Sequence, residues 1–121
     1  MNLNEIAAEL VAGCRENRTH ANLEALYAPD AVSVEAIDNG MGREAKGLEA
    51  IAGKHAWWES TFEMQGGDIS EPMMHGPDRF AVIFELTVKH KETGEVTDMK
   101  EVALYTVADG KIAREEFFYP T

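Results

Sequence analysis

The chain has 121 residues, 45% of them hydrophobic, enough for one globular core and too few for a second. Its 22 acidic and 11 basic residues give a formal net charge of −11, which excludes the Lys- and Arg-driven affinity of a nucleic-acid binder and docking on an anionic membrane. Cys14 is the single cysteine, so no intramolecular disulfide forms. Met1 to Glu5 has neither the basic nor the apolar region of a signal peptide, and no apolar run approaches the roughly 20 residues of a membrane span. The expectation is a soluble, cytoplasmic chain folded as one domain over residues 1–121.

In chain order, Leu3, Ile6, Leu10 and Cys14 recur at helical spacing, with Asn2 and Glu5 placed as a capping box. A second, short helix runs from about Thr19 to Tyr27 and stops before Pro29. Ala31 to Ile37 alternates Val32 and Val34 against Ser33, Glu35 and Ile37 and reads as a strand. Asp38 to Gly47 reads as a polar loop. The third helix, about Gly47 to Met64, carries Leu48, Ile51, His55, Trp58 and Phe62 on one stripe and ends at Gly66-Gly67.

Strands follow at about Asp68 to His75, Arg79 to His90, Val96 to Val107 and Ile112 to Tyr119, with turns at Gly76-Pro77-Asp78, Thr93-Gly94 and Asp109-Gly110. A two-residue Thr93-Gly94 loop pairs Phe84 with Ala103, Val82 with Tyr105, Phe80 with Val107 and Lys89 with Asp98. It puts Glu101 on an otherwise apolar face. A three-residue loop with a glycine bulge pairs Glu101 with Glu85 instead. Helices first and antiparallel strands after them predict an α+β fold: a cone in which three N-terminal helices pack on a strongly curved, mostly antiparallel sheet.

The segment Tyr27-Ala28-Pro29-Asp30-Ala31-Val32, the strand reaching Glu35, the Gly42 to Gly47 loop opening onto Leu48-Glu49-Ala50-Ile51, and Asp109-Gly110-Lys111-Ile112 with Phe117-Phe118-Tyr119 resemble the SnoaL-like domain. That domain belongs to the superfamily of nuclear transport factor two, ketosteroid isomerase, scytalone dehydratase and the polyketide cyclases. The resemblance spans essentially the whole chain, and its motifs specify fold more than reaction. It implies a deep apolar pocket between helices and sheet, a small apolar organic ligand, and a homodimer formed through the sheet. Glu35 falls where the ketosteroid isomerases keep their proton-shuttling aspartate, and His55 falls near one of their pocket tyrosines. The late-strand acid position falls on Ala103, with Glu101 two residues earlier on the same face. The first helix offers Val11, Gly13 and Cys14 where the isomerases need an oxyanion tyrosine, so steroid isomerisation itself is rejected.

Each candidate has a plainer reading beside the catalytic one. Glu35 is either an acid/base or a solvated rim residue, and Glu101 either faces the pocket or pairs with Lys100, Lys54 or Arg114. His55 is either a proton carrier, suited by a titration near neutrality, or a hydrogen-bonded core histidine. Trp58, on the stripe, shapes the wall with Phe84, Ala103, Tyr105 and Ile37, whereas Trp57 lies off it. Met64, Met73 and Met74 are read as core filler, His75 and His90 as exposed, and Cys14 as inert packing. No His-x-His, His-Glu-x-x-His or Cys pair is present, so no metal site is expected. The reading is a cofactor-free isomerase, dehydratase or cyclase working through Glu35, His55 and Glu101, against the alternative of a ligand carrier or dimerisation module without chemistry.

Overall fold

The computed structural model describes residues 1–38, 40 and 42–121. Asn39 and Met41, within the expected loop Asp38 to Gly47, lie outside the described residues. Helix α1 (Leu3–Arg15) starts at the capping box: Glu5 N donates to Asn2 Oδ1 and Asn2 N to Glu5 Oε1, each at 2.9 Å, which satisfies two amides left open at a helix start. Its buried stripe is Ile6, Ala7, Leu10 and Val11. Helix α2 (Thr19–Leu26) passes directly into strand β1 (Tyr27–Val34).

Helix α2 thus ends one residue short of the expected Tyr27, and Pro29 lies inside β1. There the ladder jumps from Tyr27 opposite Ile112 to Val32 opposite Arg114, an irregular stretch where a residue without N–H is tolerated. Strand β1 ends at Val34 rather than Ile37, and a short strand β2 (Glu44–Lys46) forms within the expected loop, antiparallel to it.

Helix α3 (Leu48–Thr61) is followed at once by β3 (Phe62–Ile69), then β4 (Met73–His75), β5 (Arg79–His90), β6 (Val96–Ala108) and β7 (Lys111–Phe118). Gly66-Gly67 was expected to end the helix; it sits inside β3 instead. Phe62 leaves the helix to pack its ring 4.5 Å from Trp58 and 5.3 Å from His90. A Cβ on Gly67 would stand 2.8 Å from the Glu85 carbonyl oxygen, so the glycine lets β3 approach β5 across a bulge.

The sheet order is β2-β1-β7-β6-β5-β3, with β4 also on β5. Among the described residues only β1 and β7 run parallel; the other pairs are antiparallel. Among the described residues no helix is long and apolar enough to cross a membrane.

The β5–β6 register departs from both expected ones. Phe84 faces Glu101, Val82 faces Ala103, Phe80 faces Tyr105, and Thr87 rather than Lys89 faces Asp98. The cause is a longer turn: His90 N donates to Glu95 O and Gly94 N to His90 O, so four residues turn the chain where two were expected. His90 is thus not a free strand end, because its Nδ1 accepts from Glu92 N and Thr93 N inside that turn. The slip is two residues, an even number, so every side chain keeps the face it was given.

The helices cover the face bearing Phe80, Val82, Phe84, Ala103 and Tyr105, where the Phe80 and Tyr105 rings stack at 4.9 Å. Met64, Met73 and Met74 are 43–53% exposed and do not fill the core, because β3 and β4, which carry them, are the outermost strands on the β5 side of the sheet. Gly13 lets α1 meet α2: an added Cβ would lie 2.0 Å from Asn22 Nδ2, which is buried and donates to Leu10 O at 3.2 Å. Gly13→Ala gains about 1 kcal/mol of helix propensity but displaces that buried amide, at a cost of about 1–3 kcal/mol. We expect net destabilisation, measured as a melting temperature lower by several degrees.

Candidate functional site

The inner face of the sheet gathers its polar groups in rows fixed by register. Ser33, Glu115, Tyr105 and Phe80 are aligned across β1, β7, β6 and β5; Phe117, Ala103 and Val82 form the next row, and Glu101 faces Phe84 in the one after. Glu35, one residue beyond β1, continues the inward alternation of Ala31 and Ser33. Its backbone is held by an N–H donated to Arg43 O at 2.8 Å and by the Arg43 Nε that donates to Glu35 O at 3.0 Å.

Lys54 reaches this face from α3, one turn beyond the fully buried Ile51. Its Nζ stands 2.6 Å from Glu35 Oε2 and donates to Ser33 Oγ at 2.6 Å, with the Phe117 ring centroid 5.1 Å away. Tyr119, just past β7, donates its hydroxyl to Glu35 Oε1 at 2.9 Å, so both oxygens of Glu35 are partnered. Burial, and then that bond to Glu35, push the Tyr119 phenol up to about 12.

Two further carboxyls share the neighbourhood. Glu101 is half-buried, and burial followed by the nearby Glu35 raises it to about 7, with Lys54 opposing. Glu115 is 2% exposed. Its Oε2 accepts from Tyr27 Oη at 2.5 Å, and its Oε1 has no partner. Burial raises it too, against the Tyr27 hydrogen bond. Cys14, on the α1 side, is pushed up to about 11 by burial and by Glu115, which fits its reading as an inert thiol.

The charge of Glu35 acts on Glu101, and the cation that pairs with Glu35 and acts on Glu101 is Lys54. His55 lies against His20 of α2, ring centroids 6.4 Å apart. Its Nδ1 is buried without a partner, and burial, His20 and Lys54 hold it below the usual histidine value. Neither Glu35 nor Glu101 is among the groups acting on it. Phe84, Ala103 and Tyr105 do lie on the inner face, close-packed in the core. Trp58 is half-buried against Phe62, while Ile37, expected in the wall, is 38% exposed beyond the end of β1.

Two surface concavities lie elsewhere. One of about 580 Å³ on the outer face is bounded by Val34, Arg43, Lys46, Arg114 and Glu116. The other, of about 470 Å³, is bounded by Asp68, Glu85, Thr87, Asp98 and Lys100. Sequence reasoning named Lys54 only as a partner for acids and passed over Ser33, Glu115, Tyr27 and Tyr119. The available signal was the alternation of the last strand, which puts Glu115 on the face of Phe117. Among the described residues no group of three or more His, Cys, Asp or Glu is arranged to hold a metal ion.

The raised Glu101 carboxyl has a thermodynamic consequence. Its folded-state value of about 7 exceeds the ordinary 4.5, so the folded chain binds the extra proton between those values and loses stability as pH rises through them. Glu101→Gln removes this penalty. We expect the variant to gain up to about 3 kcal/mol over the wild type at pH 8, with the gap closing by pH 4.5, in denaturant titrations at both values. A pH-independent difference contradicts the assignment.

Comparison with known proteins places this geometry in a family. The profile of the SnoaL-like domain matches residues 1–119. A Mesorhizobium loti structure, provisionally named a SnoaL-like polyketide cyclase, is 37% identical with a TM-score of 0.91, and the match covers 98% of this chain and 100% of that one. TerC, co-crystallised with polyporic acid, is 23% identical with a TM-score of 0.75 over 96% of this chain and 89% of its own. A Burkholderia thailandensis protein described as NTF2-like shares the fold at 14% identity, with a TM-score of 0.84 over 99% and 92% of the two chains. Among curated proteins none matches. The three helices on a mostly antiparallel sheet, the match over residues 1–119 and the Mesorhizobium relative together assign the chain to the SnoaL-like domain family.

Proposed function

We propose that the chain binds a small, largely apolar carbonyl compound against the inner face of its sheet and moves a proton on it without a cofactor. The observation that carries this reading is the pairing of unlike carboxyls in one place. Glu35 is held in an ion pair with Lys54, while Glu101 beside it is raised to about 7 and so still carries a proton in much of the population at neutral pH. Carboxyls pushed into different protonation states by their surroundings divide the roles of base and acid. Glu35 takes the proton beside the carbonyl, and Glu101 donates to the oxygen as charge develops there. His55, whose buried Nδ1 is unpartnered, offers a further hydrogen bond from the α2–α3 side. Trp58, Phe84, Ala103 and Tyr105 form the wall, with Ile37 at the rim.

The reaction class is isomerisation, dehydration or aldol-type cyclisation, each of which begins with that proton transfer. The polyketide-cyclase name of the Mesorhizobium relative supports this class. The competing reading, a carrier without chemistry, is favoured by the two partners that already occupy Glu35, Lys54 at 2.6 Å and Tyr119 at 2.9 Å. A thermal-shift screen of hydrophobic carbonyl compounds, followed by deuterium exchange into each hit, separates the two. We expect exchange catalysed by the wild type and reduced on the order of 10²-fold in Glu35→Gln and Glu101→Gln. Binding without exchange identifies a carrier.

We further propose that the chain is a homodimer through the outer face of the sheet. Phe118, Val102 and Ile83 stand in one row across β7, β6 and β5 on the face without helices, and Phe118 is 47% exposed. Apolar side chains so placed lose area to water unless covered. Sedimentation at tens of micromolar protein is expected to give a dimer and Phe118→Glu a monomer; a monomeric wild type rejects the interface.

A further inference from the structure

We infer that Glu115 is a positioning residue for the Glu35–Lys54 pair, acting through the hydroxyl of Ser33. This rests on the proton-transfer reading of Glu35 given above. Ser33 and Glu115 are direct partners in the parallel β1–β7 ladder, so their side chains stand next to each other on the inner face, and both are buried. A serine hydroxyl has one proton to give. Ser33 Oγ accepts from Lys54 at 2.6 Å, so its own proton goes to the carboxyl across the ladder. That carboxyl is fixed in turn by Tyr27, whose hydroxyl donates to Oε2 at 2.5 Å from the α2–β1 junction. Two bonded stretches result, Tyr27 to Glu115 and Ser33 through Lys54 and Glu35 to Tyr119, and the β1–β7 ladder sets Glu115 beside Ser33 between them.

The charges around Glu115 explain why Lys54 stays with Glu35. Glu35 acts on both Glu101 and Glu115, Glu115 acts on Glu101, and Lys54 is the cation that acts on these two. Cys14 of α1, Tyr27 of β1 and Tyr105 of β6 also face Glu115 and feel its charge. A fully buried carboxylate with one bare oxygen is costly, and Oε1 has no partner. Held uncharged, Glu115 needs no cation of its own. It serves Lys54 only by fixing the Ser33 hydroxyl, and the ammonium settles on Glu35. An ionised Glu115 would instead compete with Glu35 for Lys54.

The Lys54 side-chain ammonium reports this directly, through its hydrogen-exchange rate measured by ¹H–¹⁵N NMR on the ligand-free chain. Glu115→Met keeps the volume and removes every polar atom; we expect Lys54 exchange to accelerate about tenfold. Ser33→Ala is expected to do the same, and the double variant to add little, because the two residues act as one link. Glu115→Gln, an uncharged isostere that can still accept from Ser33, is expected to stay within about twofold of wild type. A general loosening of the core would not separate Gln from Met in this way at Lys54 alone.

Wild-type exchange in folded Glu115→Met, or in Ser33→Ala should Glu115→Met not fold, overturns the assignment. So does acceleration in Glu115→Gln equal to that in Glu115→Met. No ligand enters the measurement, so its failure leaves the proton-transfer reading standing. Conversely, absence of deuterium exchange into bound carbonyl compounds, with Lys54 behaving as expected, rejects that reading and not the positioning role.

Discussion

The inner face of this sheet holds three carboxyls whose one shared cationic neighbour is Lys54, and the constraint that a buried charge must find a partner organises everything around them. Lys54 reaches the sheet because Ile51, one turn earlier, is fully buried and fixes the rotation of α3. Its ammonium joins α3 to Ser33 and Glu35 at the end of β1. Coulomb attraction at 2.6 Å in a half-dry environment is strong enough to hold a long side chain in one geometry. It cannot also neutralise Glu101 and Glu115. Those two take the other route open to a buried acid, a raised affinity for the proton.

That division gives the site its chemical character. Three equal carboxylates would repel one another, whereas one ion pair beside two acids of raised proton affinity sets unlike groups on one face. The apolar residues have a second task besides filling the core. Phe80, Val82, Phe84, Ala103 and Tyr105 exclude water from the same face, and the low polarity they create is what raises Glu101. Packing and the raised proton affinity of Glu101 are thus consequences of one layer of side chains. The SnoaL-like family to which the chain belongs supplies the architecture, while the particular carboxyls set on it belong to the chemistry of the site.

The departures from the sequence reading share a physical origin in contacts distant along the chain. Phe62 has helical spacing with Trp58, yet it opens a strand because the edge of β5 offers Gly66-Gly67 a ladder and His90 offers Phe62 a ring to pack against. Residues 73–75 were expected inside one strand from Asp68, but the β3–β4 interruption at Ser70 is bridged by hydrogen bonds to Ile83 that no local pattern encodes. His55 follows the apolar stripe faithfully and still does not join Glu35, because the stripe also faces α2, where His20 stands.

What the sequence determined by itself was whatever depends on short-range periodicity: the capping box of α1, the order of helices before strands, and the alternation that puts Glu35, Glu101, Ala103 and Tyr105 on one face. The even slip in the β5–β6 register preserved that face even though the opposing pairs changed, because side-chain direction in a strand has period two. Only the tertiary structure decided which partners meet across elements. The parallel pairing of β1 with β7 sets Ser33 against Glu115, the rotation of α3 selects Lys54 over His55 as the neighbour of Glu35, and the path after Phe118 returns Tyr119 to the same carboxylate. Each of these joins residues 19 to 84 positions apart, and separations of that kind are fixed by the packing of whole elements, which no local run of residues records.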